Sequence, residues 1–134
     1  MSLSKRTLAI ADTIIQTLKQ YDVKIQRYDS VTSHSVYLKL DYGVLKSIRI
    51  SDHDGKKHLK YRYNIQTNTR AYKYDRKQQR FYFPESEVQR LLRQILKDRD
   101  DKKARYGNKY DTYMMQNIQQ NAHKNGFWAE SRVV

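Results

Sequence analysis

The stretch HSVYLKLDYGVLKSIRIS, His34 to Ser51, decides how this chain folds. Its first half alternates. Val36, Leu38 and Leu40 fall on one side and Tyr37, Lys39 and Asp41 on the other, the two-residue period of a half-buried strand. Tyr42-Gly43 supplies a tight turn, because glycine reaches positive φ without steric cost. Val44 to Ser51 predicts the returning strand, with Ile48 and Ile50 inward and Ser47, Arg49 and Ser51 outward. An antiparallel hairpin is therefore the nucleus of the expected fold.

Upstream, Leu8, Ala11, Ile14, Ile15, Leu18 and Tyr21 recur at three- and four-residue spacing, which predicts an amphipathic helix over Thr7 to Tyr21. Val23 to Tyr28 alternates briefly, and Asp29 to Ser33 is a polar break. Downstream, Asp52-His53-Asp54-Gly55 has loop chemistry. Two strands follow: Leu59, Tyr61, Tyr63 and Ile65 alternate with Lys60, Arg62 and Asn64, and Arg70, Tyr72 and Tyr74 with Ala71, Lys73 and Asp75. Gln66 to Thr69 reads as their hairpin loop and Phe81 to Phe83 as a last edge strand. Pro84 suits a first helical turn, and Glu85 and Glu87 suit its positive end. Val88, Leu91, Leu92, Ile95 and Leu96 form a buried stripe, with Arg90, Arg93 and Lys97 outside. Beyond Arg99 the stripe ends, giving an exposed helix extension or a linker to Gly107. Lys109 to Lys124 predicts a final helix with Tyr110, Tyr113, Met114, Ile118 and Ala122 along one side.

The sum is an α+β fold: an N-terminal helix, an antiparallel sheet of four to five strands, and one or two C-terminal helices. A single core domain over residues 1–105 and a helical tail over 106–134 fit the 134-residue length. Only one Pro and four Gly, with 38% hydrophobic and 12% aromatic residues, argue against a disordered chain. The absence of Cys removes disulfides, thiolate metal sites and a cysteine nucleophile. No apolar run approaches the roughly 20 residues of a membrane span, and the first fifteen residues lack a secretory core. A soluble cytoplasmic protein without membrane contact is expected.

Charge carries the functional signal. There are 27 Lys and Arg against 14 Asp and Glu, and residues 56–105 alone hold sixteen against six. So concentrated an excess suits a polyanion, since phosphate contacts release counterions. The candidate contacts are Lys56, Lys57, Lys60, Arg62, Arg70, Lys73, Arg76, Lys77, Arg80, Arg90 and Arg93. Alternation places Tyr61 and Tyr63 on one face and Lys60 and Arg62 on the other, so the tyrosines read as core lining and the cations as the phosphate surface.

Enzymatic chemistry has weaker support. Ser51, Asp52 and His53 are adjacent on a strand, and alternation keeps them from meeting as a triad. Asp52, His53, Asp54 and His58, with His34, could ligate a metal in a phage nuclease, but their spacing matches no metal motif. No Gly-rich nucleotide loop occurs, and no cofactor or metal site is assigned. A third alternative is a protein-only module in which Tyr113, Phe127 and Trp128 grip a partner or a second copy in a homodimer.

The combination of Ser35-Val36-Tyr37, Gly43 and Ile48-Arg49-Ile50-Ser51-Asp52-His53 resembles small proteins of phages and mobile elements in Gram-positive bacteria. One such group is a type II-A anti-CRISPR family, similar in the order of its elements over residues 7 to 97. The motif positions are Ser35, Tyr37, Arg49, Ser51, Asp52 and His53, and Arg49 and His53 would organise the hairpin end. The resemblance implies a non-catalytic inhibitor working in a bacterial host cell. Its partner would be a type II CRISPR effector nuclease, its guide RNA, or both.

Overall fold

A computed structural model of the chain describes residues 3–52, 61–67, 71–121 and 131–134. It is α+β: helix α1 (Lys5–Lys19), strands β1 (Ile25–Ser30), β2 (Ser35–Leu40), β3 (Ser47–Ser51), β4 (Tyr63–Gln66), β5 (Lys73–Asp75) and β6 (Arg80–Pro84), helices α2 (Val88–Tyr106) and α3 (Lys109–Asn121), and strand β7 (Arg132–Val133). Helix α1 starts at Ser4, whose Oγ accepts from Thr7 N at 3.1 Å and so satisfies an orphan donor of the first turn. Helix α2 continues through the charged segment after Arg99 and stops at Gly107, whose φ of +56° turns the chain away. The 3₁₀ turn Glu85–Glu87, entered from Pro84, leads into α2.

The strands form one sheet in the order β5-β6-β4-β3-β2-β1-β7. That is more strands than the four to five expected, and β7 had no periodicity to announce it. Pairs β1–β2, β2–β3, β5–β6 and β1–β7 are antiparallel, but β3–β4 and β4–β6 are parallel. Two expectations fail here. β4 and β5 are not hairpin partners, because β6 lies between them, and Phe81–Phe83 is interior rather than an edge. The reason is apolar: Phe81 stacks on Tyr63 at 5.7 Å from the β4 side and meets Tyr74 at 4.6 Å from the β5 side. An edge position would leave one flank of that ring wet.

Helices α1 and α2 cover one face. Ile10, Ala11, Ile14, Ile15 and Leu18 of α1 and Leu91, Leu92 and Ile95 of α2 bury Leu38, Ile48, Ile50, Tyr63, Ile65 and Phe83 of the sheet. The β2–β3 connection is longer than a two-residue turn. Residues 41–46 intervene, with Asp41, Tyr42 and Gly43 all at positive φ, and Leu40 N donates to Lys46 O at 2.9 Å to close the loop.

Below this connection a buried polar node joins the helices to the sheet. Asp41 accepts from Lys24 N at 2.9 Å, Arg99 Nε at 2.7 Å and the Tyr110 hydroxyl. Asn117 Nδ2 donates to Tyr42 O at 2.9 Å, so α3 is fastened at two points. Among the described residues no helix is long and apolar enough to cross a membrane.

Candidate nucleic-acid interface

Parallel pairing has a direct electrostatic result. Strands β3, β4 and β6 start at the same end of the sheet, and Lys46, Arg62 and Gln79 stand immediately before or one residue before those starts, with Arg80 opening β6. Strand β2 ends there with Lys39 close by, and α2, running back from the far end, brings Lys102 and Arg105. Two adjoining hollows of about 380 and 330 Å³ share Lys46, Arg62 and Gln79. The first adds Lys39 and Arg80, and the second adds Asp98, Asp101, Lys102 and Arg105. The result is a cationic cleft in which the two acids are outnumbered.

Arg62 is the cleft's fixed member. Its Nη1 donates to Gln79 O at 3.0 Å, its Nη2 lies 3.4 Å from Asp98 Oδ2, and its guanidinium sits 5.2 Å from the Phe81 ring. Burial weighs against its charge, but the Tyr63 hydroxyl and the Asp98 carboxylate outweigh burial and hold its pKa above the ordinary value. The expectation that Arg62 faces away from Tyr63 is thus corrected: it precedes β4 and folds across the strand end toward α2. Lys102 Nζ donates to Val44 O at 2.7 Å. Burial, then the fields of Lys46 and Arg62, push its amine down to about 8.

The β5–β6 turn extends the positive edge. Asp75 Oδ1 accepts from Lys77 N at 3.0 Å and Gln78 N at 3.2 Å, which rigidifies the turn and leaves Arg76 and Lys77 exposed beside Arg80. Lys73 is exposed on β5, paired with Tyr82. Among the described residues, no ion pair joins Lys46, Arg76, Lys77, Arg80, Lys102 or Arg105 to an acid. Lys46, Lys102 and Arg105, like Lys39, were not among the contacts expected from the sequence.

Two expected contacts lie elsewhere. Arg90 is spent locally, with its guanidinium 3.7 Å from the Tyr72 ring centroid and Nη1 3.4 Å from Glu87. Arg90 and Arg93 also stand about three turns, roughly 14–18 Å, up α2 from Lys102. Lys56, Lys57, Lys60 and Arg70 lie outside the described residues, as do His53, Asp54, His58, Phe127 and Trp128.

Four of the motif residues, Ser35, Tyr37, Arg49 and Ser51, gather on the sheet face away from the helices. Register places Tyr28, Tyr37, Arg49, Asn64 and Tyr82 in one row, and Ser30, Ser35, Ser51 and Gln66 in the next. Outward here does not mean exposed: Arg49, Ser35, Ser51 and Asn64 are all buried. Tyr61 leaves Tyr63 and packs on Tyr37 at 4.9 Å, so these two tyrosines face opposite ways, contrary to expectation, because β4 begins only at Tyr63. Burial and the neighbouring Tyr37 raise the Tyr61 phenol's pKa, against the pull of Arg49. Asp52 follows β3 in a bend and is half-buried. His34 sits at φ +53° just before β2. Among the described residues no three His, Asp or Glu side chains cluster to hold a metal. On α3, Tyr113 is exposed, its ring edge-on to Tyr106 at 5.4 Å, with Met115 and Ile118 also exposed.

No family model matches the chain, and no curated protein and no solved structure is significantly similar to it.

Proposed function

We propose that this protein is a non-catalytic binding module of a phage or mobile element, which grips a nucleic-acid backbone and thereby inhibits a type II RNA-guided nuclease. The single observation that carries the binding is the cationic edge running from Arg76, Lys77 and Arg80 into the cleft of Lys46, Arg62, Lys102 and Arg105. Its charges come from five separate elements and converge on one end of the sheet, which is the arrangement a strand of phosphates requires. The nuclease as target comes from the resemblance of the Ile48 to His53 stretch to type II-A anti-CRISPR proteins, and the guide RNA is the polyanion such a target exposes.

The test has two parts. Anisotropy titrations with single-stranded RNA and DNA should give affinities that fall roughly fiftyfold between 50 and 200 mM salt, as about four phosphate contacts require. A pull-down from cells carrying a type II effector, with and without its guide, should recover the effector only with the guide. Salt-independent binding would remove the electrostatic mechanism. Metal-dependent cleavage products that vanish with EDTA and with His53→Ala would replace the binding module by a nuclease.

A further inference from the structure

Resting on that reading, we propose that the cleft between α2 and the starts of β3, β4 and β6 is a pocket for a phosphate monoester dianion, whose seating is coupled to proton uptake by Lys102. A passing backbone offers one charge per phosphodiester and suits an open ridge such as Arg76 and Lys77. The cleft is different, because it is concave and one of its two hollows is lined by four cations from three separate parts of the fold. Lys46 enters from the β2–β3 connection, Arg62 from the start of β4, Lys102 and Arg105 from α2.

Its two acids are already engaged. Asp98 accepts from Tyr63 at 2.5 Å, from Gln94 at 2.9 Å and from Arg62 at 3.4 Å, and Asp101 pairs with Lys97 at 2.9 Å. What the cleft presents is surplus positive charge in a half-enclosed site, which a doubly charged, compact anion neutralises better than a diester. A terminal phosphate of a strand and the phosphate of a free mononucleotide both carry that group.

Lys102 makes the site sensitive to pH. The amine is anchored on the wall by Val44 O and faces Lys46, Arg62 and Arg105, with Asp98 favouring its charge, Asp101 lining the same hollow, and Arg80 and Lys39 across the shared hollow. Burial first, then Lys46, Arg62 and Arg105, depress its pKa to about 8. A seated dianion reverses that field and favours the ammonium form, so binding takes up a proton wherever Lys102 is partly neutral. Affinity should fall about tenfold from pH 7 to pH 9 as Lys102 deprotonates, while a phosphate monoester, with its second pKa near 6, stays dianionic.

The experiment uses the full chain and one single-stranded oligonucleotide, labelled at its 3′ end, with either a 5′-phosphate or a 5′-hydroxyl. At pH 7 the phosphorylated strand should bind about tenfold tighter, and the advantage should disappear at pH 9. Lys102→Arg, which keeps its charge throughout, should hold the advantage at both pH values. Lys46→Asn, which preserves the positive φ of an exposed residue, should weaken it without changing the circular dichroism. Competition by adenosine 5′-monophosphate would assign the pocket to free nucleotides, and its failure beside a retained 5′-phosphate advantage would assign it to strand ends. Equal affinity for the two strands, with no binding of the mononucleotide, would overturn the pocket and leave backbone binding standing. Absence of binding by either strand would instead overturn the nucleic-acid reading. An advantage that persists at pH 9 in the unmodified protein would overturn the role of Lys102.

Discussion

Arg99 on α2 reaches Asp41 at the end of β2 across 58 residues of sequence, with Nε donating to Oδ2 at 2.7 Å. The same guanidinium donates from Nη1 to Tyr21 O at 2.8 Å and from Nη2 to Asp22 O at 3.2 Å, closing the C-terminal end of α1. Burial weighs against the charge, and the hydrogen bond and field of Asp41 outweigh it, so Arg99 has a pKa above its ordinary value. Removing Arg99 leaves a fully buried carboxylate without its counter-charge, held only by Lys24 N and the Tyr110 hydroxyl, and takes a donor from two backbone carbonyls. Arg99→Met should therefore cost about 3–5 kcal/mol of unfolding free energy in urea, and Arg99→Lys most of that, since one ammonium cannot replace the fork.

The turn above that pair makes a second expectation. Gly43 has φ +93°, and a Cβ placed there would stand 3.0 Å from Lys39 Cε. The lysine tip can move, but the backbone strain remains. Gly43→Ala should destabilise by about 1–3 kcal/mol, measured as a lowered urea midpoint with an unchanged slope.

Alkaline pH should expose two opposing groups. Burial, and then the hydrogen bonds to Asp98 and Asp41, keep the phenols of Tyr63 and Tyr110 protonated well above their ordinary value. The unfolded chain releases those protons near pH 10 while the folded chain keeps them, so stability falls as pH rises beyond that point. Lys102 has the other sign. With its amine down at about 8, the unfolded chain holds one more proton between that pH and the ordinary lysine value of 10.5, and stability rises across the window. Urea unfolding of the unmodified protein against Lys102→Met should show the difference moving in the unmodified protein's favour from pH 8 to pH 10. Above pH 10, Tyr110→Phe should lose less stability per pH unit than the unmodified protein.

The basic residues should divide into two groups. Replacing Arg76, Lys77 and Arg80 together by Gln should lower affinity for single-stranded RNA roughly tenfold or more at low salt and flatten the salt dependence by about two in slope. Arg90→Gln should leave affinity within about twofold, because its guanidinium is held over Tyr72, and should instead cost roughly 0.5–1 kcal/mol of stability. Equal loss of binding in both variants would show that the phosphate surface runs the length of α2.

The elements that carry a period were legible in the sequence: α1 from Leu8 to Leu18, α2 from Val88 to Leu96, and β2 and β3 from their alternating Val, Leu and Ile. Alternation says which way a side chain points but not which strand lies beside it, so the parallel trio β3–β4–β6 was out of reach. The cleft went with it. Arg62 and Arg80 were visible as cations, but only parallel pairing puts them beside Lys46, and Lys102 reads in isolation as one more exposed charge past the apolar stripe. The signal that could have found Lys102 was its spacing, since it falls three and four residues after Arg99 and Asp98, on the side of α2 that faces the strand starts. Strand β7 is two residues long and has no period to detect.

The cleft is assembled from positions 39, 46, 62, 79, 80, 102 and 105, so no fragment of the chain owns it. A ribosome-bound chain cannot display the site until residue 105 has emerged and the second long helix has docked. A ligand seated there would therefore meet only chains folded through α2, and its binding would stabilise the elements from β2 to α2 together.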